Sequence, residues 1–140
     1  MSAEYPKPVP RPDRDSQPYW EFIRKGELRL QRCDRCGTWR FPPRAICGKC
    51  HSFDSTWTAT RGLGRVTSWI TTHQVFAPAL RSEVPYHVVQ VALDEQPDLI
   101  LPGQLVPGTE PGADLRVRTR FRNVTGDVTL LFWERAAGVE

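Results

Sequence analysis

The four cysteines of this 140-residue chain fall into one local pattern that can bind a metal ion. Cys33 and Cys36 form one C-x2-C pair, Cys47 and Cys50 form a second, and ten residues separate the pairs. Each pair can place two thiolates on one side of a metal, so together they complete a tetrahedral site. Because protein ligands then fill all four positions, the site is structural and not catalytic. We predict one bound zinc ion.

Two disulfides, a redox C-x2-C motif and a rubredoxin-type iron are the alternative interpretations of this spacing. Disulfides suit exported proteins, but no apolar signal segment opens the chain. Redox motifs occur singly beside a βαβ unit. Iron uses the same ligands, so the spacing alone does not separate it from zinc. Reduced thiols without a targeting signal predict a cytoplasmic location.

The composition indicates a small β-rich protein. Hydrophobic residues make up 39% of the chain, and no apolar stretch has the length of a membrane span. The 13 prolines and 10 glycines favour short strands and turns over long helices. Residues 1–65 carry 13 Lys and Arg against 7 Asp and Glu, whereas residues 66–140 carry 6 against 9. The basic surplus therefore surrounds the metal module, and it is mostly arginine, which suits phosphate or carboxylate binding.

Four segments are predicted along the chain. Residues 1–14 contain four prolines and form an extended tail or linker. Residues 15–26 form a helical hook, residues 27–60 form the zinc ribbon, and residues 61–136 form a β-barrel.

The predicted hook is a short helix that Asp15 or Ser16 can cap and Gly26 can end. Its apolar side chains are Tyr19, Trp20, Phe22 and Ile23. So short a helix cannot bury all four on one side, so we expect part of this surface to contact another chain. Packing of the same side chains within the domain is the alternative.

The barrel segment contains five predicted strands after a first ribbon strand at Glu27–Arg32. The predicted barrel strands are Val66–Thr72, Tyr86–Leu93, the two short pieces Leu99–Leu101 and Gln104–Val106 around Pro102-Gly103, Leu115–Arg122, and Val128–Trp133. Five short strands without a long helix predict a Greek-key barrel of the OB type, with an SH3-like barrel as the alternative.

The fourth barrel strand carries an arginine at every second position. Alternation places Arg116, Arg118, Arg120 and Arg122 on one face of the strand. A solvated outer face of the barrel is the first interpretation. The second is a docking patch in which Arg118 binds carboxylates of a partner protein.

The order of these segments is more specific than any segment alone. The aromatic helix precedes the ribbon RCDRCGTWRFPPRAICGKC, which is followed by Trp57, the G-x-G-x-V of Gly62–Val66, Pro85-Tyr86, and the VALDE of Val91–Glu95. This order resembles the zinc-ribbon OB-fold proteins long classed as a domain of unknown function and associated with acyl-CoA metabolism. The resemblance covers about residues 16 to 135.

The resemblance implies an accessory subunit of a thiolase-superfamily enzyme, assembled as a heterotetramer around a partner dimer. In one setting, the partner is an aldolase that cleaves the side chain of a steroid acyl-CoA, and the accessory domain is often fused behind a MaoC-like hydratase. In the other, an archaeal member joins acetoacetyl-CoA thiolase to hydroxymethylglutaryl-CoA synthase. The arginine-rich and proline-rich composition favours the first setting. Gln96-Pro97 departs from the glycine usual in the family, so ligand contacts at the barrel mouth are not carried over.

The residues themselves indicate that this chain is not a catalyst alone. All thiols are assigned to the metal, and His51 follows the last of them. We expect a solvated surface residue there, and the alternatives are a hydrogen bond near the metal or a place in the ligand set. His73 and His87 lie in strand-like segments without a predicted carboxylate partner. Asp94 and Glu95 are adjacent in sequence, so they face opposite sides of a strand and cannot form an acid–base pair.

Two binding hypotheses concern the basic ribbon. Arg40 and Arg44 flank a proline pair, and arginine binds phosphate through two parallel hydrogen bonds, so we expect these residues to contact the phosphates of acyl-CoA. The alternative pairs Arg44 with Asp34 or Asp54 at the surface. Ribbons and OB folds also bind single-stranded nucleic acid, but the net charge of only +3 and the acidic barrel half argue against this alternative.

Overall fold

The computed structural model describes residues 5–137 and begins with one helix. This helix, α1, spans Gln17–Arg24, with Pro18 in its first turn. Gly26 follows it with a φ of 79°, a left-handed conformation that glycine adopts without a Cβ clash. Its N–H donates to the carbonyl of Ile23 at 2.9 Å and so ends the helix. Ser16 lies at the N-cap position, although its side chain makes no capping hydrogen bond to the helix.

The ribbon is a three-stranded antiparallel sheet. Its strands are β1 at Arg29–Cys33, β2 at Trp39–Arg40 and β3 at Ser55–Ala59, in the order β2-β1-β3. The long loop between β2 and β3 carries the proline pair and the second cysteine pair. β1 begins two residues later than its predicted start at Glu27.

Five further strands close into a barrel. They are β4 at Leu63–Thr72, β5 at Tyr86–Leu93, β6 at Ile100–Leu105, β7 at Arg116–Asn123 and β8 at Thr129–Arg135. The order around the barrel is β4-β5-β6-β8-β7, in which β6 and β8 are parallel and the other pairs are antiparallel. The predicted fold class, a helical hook followed by a ribbon and a five-stranded barrel, is confirmed.

The predicted interruption at Pro102-Gly103 is wrong, because β6 runs through both residues. Along this strand β8 pairs only with Gln104 and Leu105, so Pro102 has a neighbouring strand on one side only. A residue without an N–H is tolerated at such a half-paired position. Glycine is required at position 103 because a Cβ there would lie 2.8 Å from the indole of Trp133.

The distal half of β4 extends beyond the barrel. β7 pairs with β4 only at Leu63–Arg65, whereas β5 accompanies β4 as far as Thr72. Within the described chain, the segment Thr67–Thr72 therefore has one unpaired edge. The side chains of residues 67–71 are exposed, including those of Trp69 (39%) and Ile70 (63%).

One hydrophobic core joins the three parts of the molecule. It contains Ile23 of the helix, Leu30 of the ribbon and Trp133 of the barrel, which are all fully buried. The ribbon and the barrel are also joined by the side-chain amide of Gln96, which exchanges two hydrogen bonds with the backbone of Trp39, at 3.0 and 3.1 Å. The helix and the ribbon are therefore packed on the barrel.

The predicted tail of residues 1–14 lies partly outside the described residues, which begin at residue 5. Residues 5–14 form no helix or strand, and Lys7 Nζ lies 2.7 Å from Glu83 Oε2. Within residues 5–137, no helix has both the length and the apolar character needed to cross a membrane.

Candidate functional site

The four cysteine sulfurs meet between the two knuckles of the ribbon. Their Sγ atoms all lie within 4.8 Å of one another. The Cys33–Cys50 separation is 3.5 Å and the Cys36–Cys47 separation is 3.6 Å. Zinc–sulfur bonds of about 2.3 Å in a tetrahedron require sulfur–sulfur distances of about 3.8 Å, so the four residues fit the metal. Together they form the structural zinc site of a rubredoxin-like ribbon.

Backbone N–H groups favour thiolates at this site. The N–H of Cys36 lies 3.5 Å from Cys33 Sγ, and that of Lys49 lies 3.4 Å from Cys47 Sγ. Hydrogen bonds from the N–H groups of Cys50 and Lys49 lower the pKa of Cys47 to about 6. The N–H of Ser52 lowers the pKa of Cys50, but burial and the neighbouring thiols outweigh it and raise that pKa to about 11. A divalent cation at this site would offset the mutual repulsion of the thiolates and so favour deprotonation of Cys50 as well.

His51 lies beside the metal site without joining the ligand set. Its side chain is exposed, and its backbone adopts a φ of 63°. It occupies the position in the second knuckle that Gly37, with a φ of 76°, occupies in the first. His51 thus has a backbone role in the knuckle turn.

The hook prediction needs a correction, because α1 packs on its own chain. Tyr19 and Ile23 are 7% and 0% exposed and belong to the core, since residues four apart lie on the same side of a helix. Trp20 is half-buried with its ring edge-on to Tyr19, at 5.1 Å between centroids. Phe22 is half-buried against Trp57 at 6.1 Å. Only Trp20 and Phe22 therefore keep surface that a second chain can reach.

The arginines of β7 are largely paired with carboxylates of the same chain. Arg116 donates two hydrogen bonds to Asp94, both 2.7 Å long. Arg118 and Arg120 share the single carboxylate of Glu134, at 2.8 and 3.2 Å. The hydrogen bond from Arg118 lowers the pKa of Glu134, and Arg120 adds to this effect. Arg122 is exposed and makes no ion pair within residues 5–137, so this row retains positive charge.

Arg40 and Arg44 lie close together but differ in exposure. Arg40 is 4% exposed, and its Nε donates to the carbonyl of Arg44 at 3.0 Å and lies 3.3 Å from Gln31 Oε1. The Arg44 side chain is exposed and forms no ion pair with Asp34 or Asp54. Both arginines line one cavity of about 190 Å³.

Two glutamines, neither of which was predicted to have a structural role, hold this region together. The Gln31 amide accepts from the N–H of Arg44 at 2.9 Å and donates to its carbonyl at 3.0 Å. Gln96 binds both backbone groups of Trp39 in the same manner. Gln96 replaces the glycine usual at this point of the family pattern, and this departure was the available signal.

The histidines and acids that were considered for catalysis lie in other surroundings. His87 Nδ1 lies 2.9 Å from the hydroxyl of Thr71 across the β4–β5 pair. Asp94 binds Arg116, and Glu95 accepts the backbone N–H of Arg61 at 2.9 Å. His73 lies at the end of the β4 extension.

Two family models match adjoining parts of the chain. Residues 20–56 match the rubredoxin-like zinc ribbon domain of ChsH2, and residues 57–122 match the C-terminal OB-fold domain of ChsH2. A curated relative, the probable enoyl-CoA hydratase alpha subunit of Thermomonospora curvata, is 37% identical over 94 residues. That match covers 67% of this chain but only 29% of the relative, so this chain spans less than a third of its length.

One solved structure supports the same family, and a second shares only the fold. A chain of the Ltp2–ChsH2(DUF35) aldolase is 31% identical with a TM-score of 0.81, and the match covers 91% of this chain and 99% of that one. A DUF35 protein of unknown function from Sulfolobus solfataricus shares the fold at 10% identity and a TM-score of 0.59, over 88% of this chain and 86% of that one. The chain therefore belongs to the ChsH2 family of zinc-ribbon and OB-fold proteins.

Proposed function

We propose that this chain is a non-catalytic accessory subunit that binds and stabilises a thiolase-like aldolase acting on an acyl-CoA thioester in the cytoplasm. The observation that carries this proposal is the similarity, along 91% of the chain, to a chain of the Ltp2–ChsH2(DUF35) aldolase. The name of the curated relative also supports acyl-CoA metabolism. The reaction that fits best is retro-aldol cleavage of a steroid side-chain thioester. The catalytic groups then belong to the partner, in a heterotetramer built around a partner dimer.

The proposed contact surface, here called the partner face, joins the hook to the arginine row. One groove of about 280 Å³ is lined by Trp20, Phe41 and Phe132, among others. A second groove of about 330 Å³ is lined by Phe132, Arg120 and Arg122, among others. Because Phe132 lines both, the aromatic hook and the arginines lie along one continuous surface. An apolar centre with a charged rim is typical of protein interfaces.

Charge complementarity defines the partner chemistry on this face. Arg118 and Arg120 have one carboxylate between them, and Arg122 has none in the described chain. A partner segment with aromatic or aliphatic anchors and acidic residues would fill the grooves and complete these pairs. Phe22, on the ribbon side of the helix, is proposed as a flanking contact.

The test is reconstitution of the full chain with a thiolase-like aldolase. We expect Trp20→Ala to weaken complex formation in light-scattering chromatography about tenfold or more, with a smaller effect on the melting temperature. Phe53→Ala is the matched control, because Phe53 is 73% exposed on the ribbon away from both grooves. If Trp20→Ala lowers binding and thermal stability equally, Trp20 stabilises the fold and does not contact the partner.

The charged part of the face has its own test. Arg118→Glu should slow association strongly at low salt and little at high salt, since rim charges act on the association rate. Failure of the wild-type chain to bind any thiolase-like protein, or to support acyl-CoA cleavage by one, would contradict the proposed function as a whole.

A further inference from the structure

A cavity at the junction of ribbon and barrel is lined by more basic than acidic side chains. It has a volume of about 190 Å³ and lies beside the second cysteine knuckle. Arg40, Arg44 and Lys49 line it, opposed by the single carboxylate of Asp98. The cavity is therefore cationic, and it adjoins the first groove of the partner face, with which it shares Phe41.

Arg40 supplies the strongest sign that a ligand belongs in the cavity. The residue is 4% exposed, and its two terminal nitrogens are buried without a hydrogen-bond partner. No carboxylate of the described chain lies within ion-pair distance of this guanidinium. Burial of a charged donor without an acceptor is costly, so such groups are normally paired. The fold thus holds a charged donor in place without supplying the acceptor that it needs.

The surrounding residues fix the geometry before any ligand arrives. The Gln31 amide binds the backbone N–H and carbonyl of Arg44, and the Nε of Arg40 binds the same carbonyl. The Arg44 guanidinium passes over Gly48, where an added Cβ would lie 3.4 Å from its terminal nitrogen. Two arginines that line one cavity are therefore held in place by the same hydrogen-bonded loop, which lowers the entropic cost of binding an anion.

The negative charge of the zinc site explains why some basic residues lie nearby. It does not supply hydrogen-bond acceptors for the terminal nitrogens of Arg40. A zinc ion with four thiolates carries two net negative charges, and Cys47 also borders the cavity. Nearby cations lower the energy of that centre. Yet no sulfur accepts a hydrogen bond from the terminal nitrogens of Arg40, which have no partner in the described chain.

We infer that this cavity is a binding site for a phosphate group. Arg40 and Arg44 present the planar donors that match phosphate oxygens, and Lys49 adds a point charge at the rim. The group could arrive as inorganic phosphate or as the phosphate end of a coenzyme A thioester. The second source rests on the proposed function, whereas the site itself does not.

Calorimetric titration of the full, zinc-loaded chain without any partner tests the site. The probes are inorganic phosphate, coenzyme A, dephospho-coenzyme A and pantetheine, at low ionic strength. We expect phosphate to bind and pantetheine, which has no phosphate, to give no signal. Tighter binding of coenzyme A than of inorganic phosphate would identify the cofactor as the source, and its loss in the dephospho form would locate the 3′-phosphate in the cavity.

Matched variants distinguish a built site from general attraction to a basic protein. Arg44→Ala should weaken phosphate binding about tenfold or more, as expected for the loss of a charged hydrogen-bonding partner. Arg35→Ala removes an exposed arginine of the first knuckle that does not line the cavity, and should have little effect. Lys49→Ala, with zinc content measured in parallel, gives a second variant if Arg44→Ala folds poorly.

Two results would overturn the inference: no binding of any phosphate probe, or equal weakening by Arg35→Ala and Arg44→Ala. Neither result touches the proposed function, because complex formation with an aldolase is measured separately. Conversely, phosphate binding by a chain that binds no aldolase would leave the site standing and remove the proposed function.

Discussion

At the residue scale, the two metal knuckles share one backbone turn but differ in the residue that follows the second cysteine. The N–H of Gly37 donates to the carbonyl of Cys33 at 2.9 Å, and the N–H of His51 donates to that of Cys47 at 3.0 Å. Both residues are left-handed, which costs a non-glycine residue about 1–2 kcal/mol. His51 is therefore strained where Gly37 is not.

We expect His51→Gly to raise the free energy of unfolding by up to about 1 kcal/mol, because the relief of strain exceeds the extra chain entropy of glycine. Urea unfolding of the zinc-saturated chain measures this difference. Gly37→Ala is the reciprocal control and should lower the same quantity. A less stable His51→Gly variant would mean that the imidazole stabilises the knuckle by more than its backbone strain costs.

The metal ligands could be assigned from the sequence because their spacing alone defines the site. The surroundings of Tyr19 and Arg40 could not. Whether an aromatic side chain faces the core or a partner, and whether an arginine is buried, depends on segments distant in sequence. Arg40 meets Gln31 across the β1–β2 pair, and Tyr19 meets Phe41 at 5.6 Å between ring centroids.

At the scale of elements, the Gln96 side chain acts as a short substitute for a strand. β2 has only two residues and pairs with β1 alone. The Gln96 amide binds the N–H and the carbonyl of Trp39 and so supplies the hydrogen bonds that a neighbouring strand would make. This contact joins the β5–β6 turn of the barrel to the ribbon.

Gln96→Ala should lower the free energy of unfolding by about 1–3 kcal/mol, because two buried backbone groups lose their partners. Amide hydrogen exchange at Trp39 should accelerate before that of the barrel core. Gln90→Ala, at an exposed position of β5, serves as the control and should leave Trp39 protected. Unchanged exchange at Trp39 in Gln96→Ala would show that the amide is dispensable.

The Arg116–Asp94 pair gives the barrel a pH dependence with a defined sign. Hydrogen bonds from the Arg116 guanidinium lower the pKa of Asp94 below its ordinary 3.8, against the opposing effect of burial. A carboxylate whose pKa is lower in the folded state stabilises the fold above its unfolded pKa and loses this contribution as the pH falls through the folded value.

Asp94→Asn should therefore lower the free energy of unfolding at pH 7, and this effect should fade as the pH falls through the lowered pKa of Asp94. The measurement is the difference in the free energy of urea unfolding between wild type and variant at each pH. Zinc loss in acid affects both proteins and so drops out of this difference. Asp114→Asn removes an ion pair with a 78% exposed carboxylate and should change little at any pH. An effect of Asp94→Asn that persists undiminished in acid would exclude the ion pair as its cause.

The strands β5 and β7 could be predicted closely because their β-branched runs and period-two alternation are local signals. The predicted break in β6 failed because the rule for proline and glycine assumes a strand paired on both sides. β6 pairs on both sides only at Gln104 and Leu105, and this follows from the closure of the barrel. Closure brings together residues far apart in sequence, which no local pattern describes.

At the scale of the whole molecule, the ribbon and the barrel share one core. Leu30 and Trp39 of the ribbon belong to the same buried cluster as Val117 and Trp133 of the barrel. Metal binding to so small a ribbon supplies much of its folding free energy. Loss of zinc should therefore lower the stability of the barrel as well as that of the ribbon.

We expect Cys36→Ala to release zinc, unfold about residues 27–57 and lower the stability of the barrel. Zinc content follows from a chromogenic chelator, and hydrogen exchange separates the ribbon from the barrel. Arg35→Ala, one residue away, should keep the metal. One zinc retained per chain in Cys36→Ala would contradict the four-cysteine site, and full protection of the barrel would contradict the shared core.

The distal half of β4 should make the purified chain prone to aggregation. Thr67–Thr72 combines an unpaired backbone edge with exposed Trp69 and Ile70, and it contains no charge or proline to deter strand addition. Such an edge can template growth into fibrils. Shelf life should therefore shorten as the stock is concentrated, and agitation should seed insoluble material.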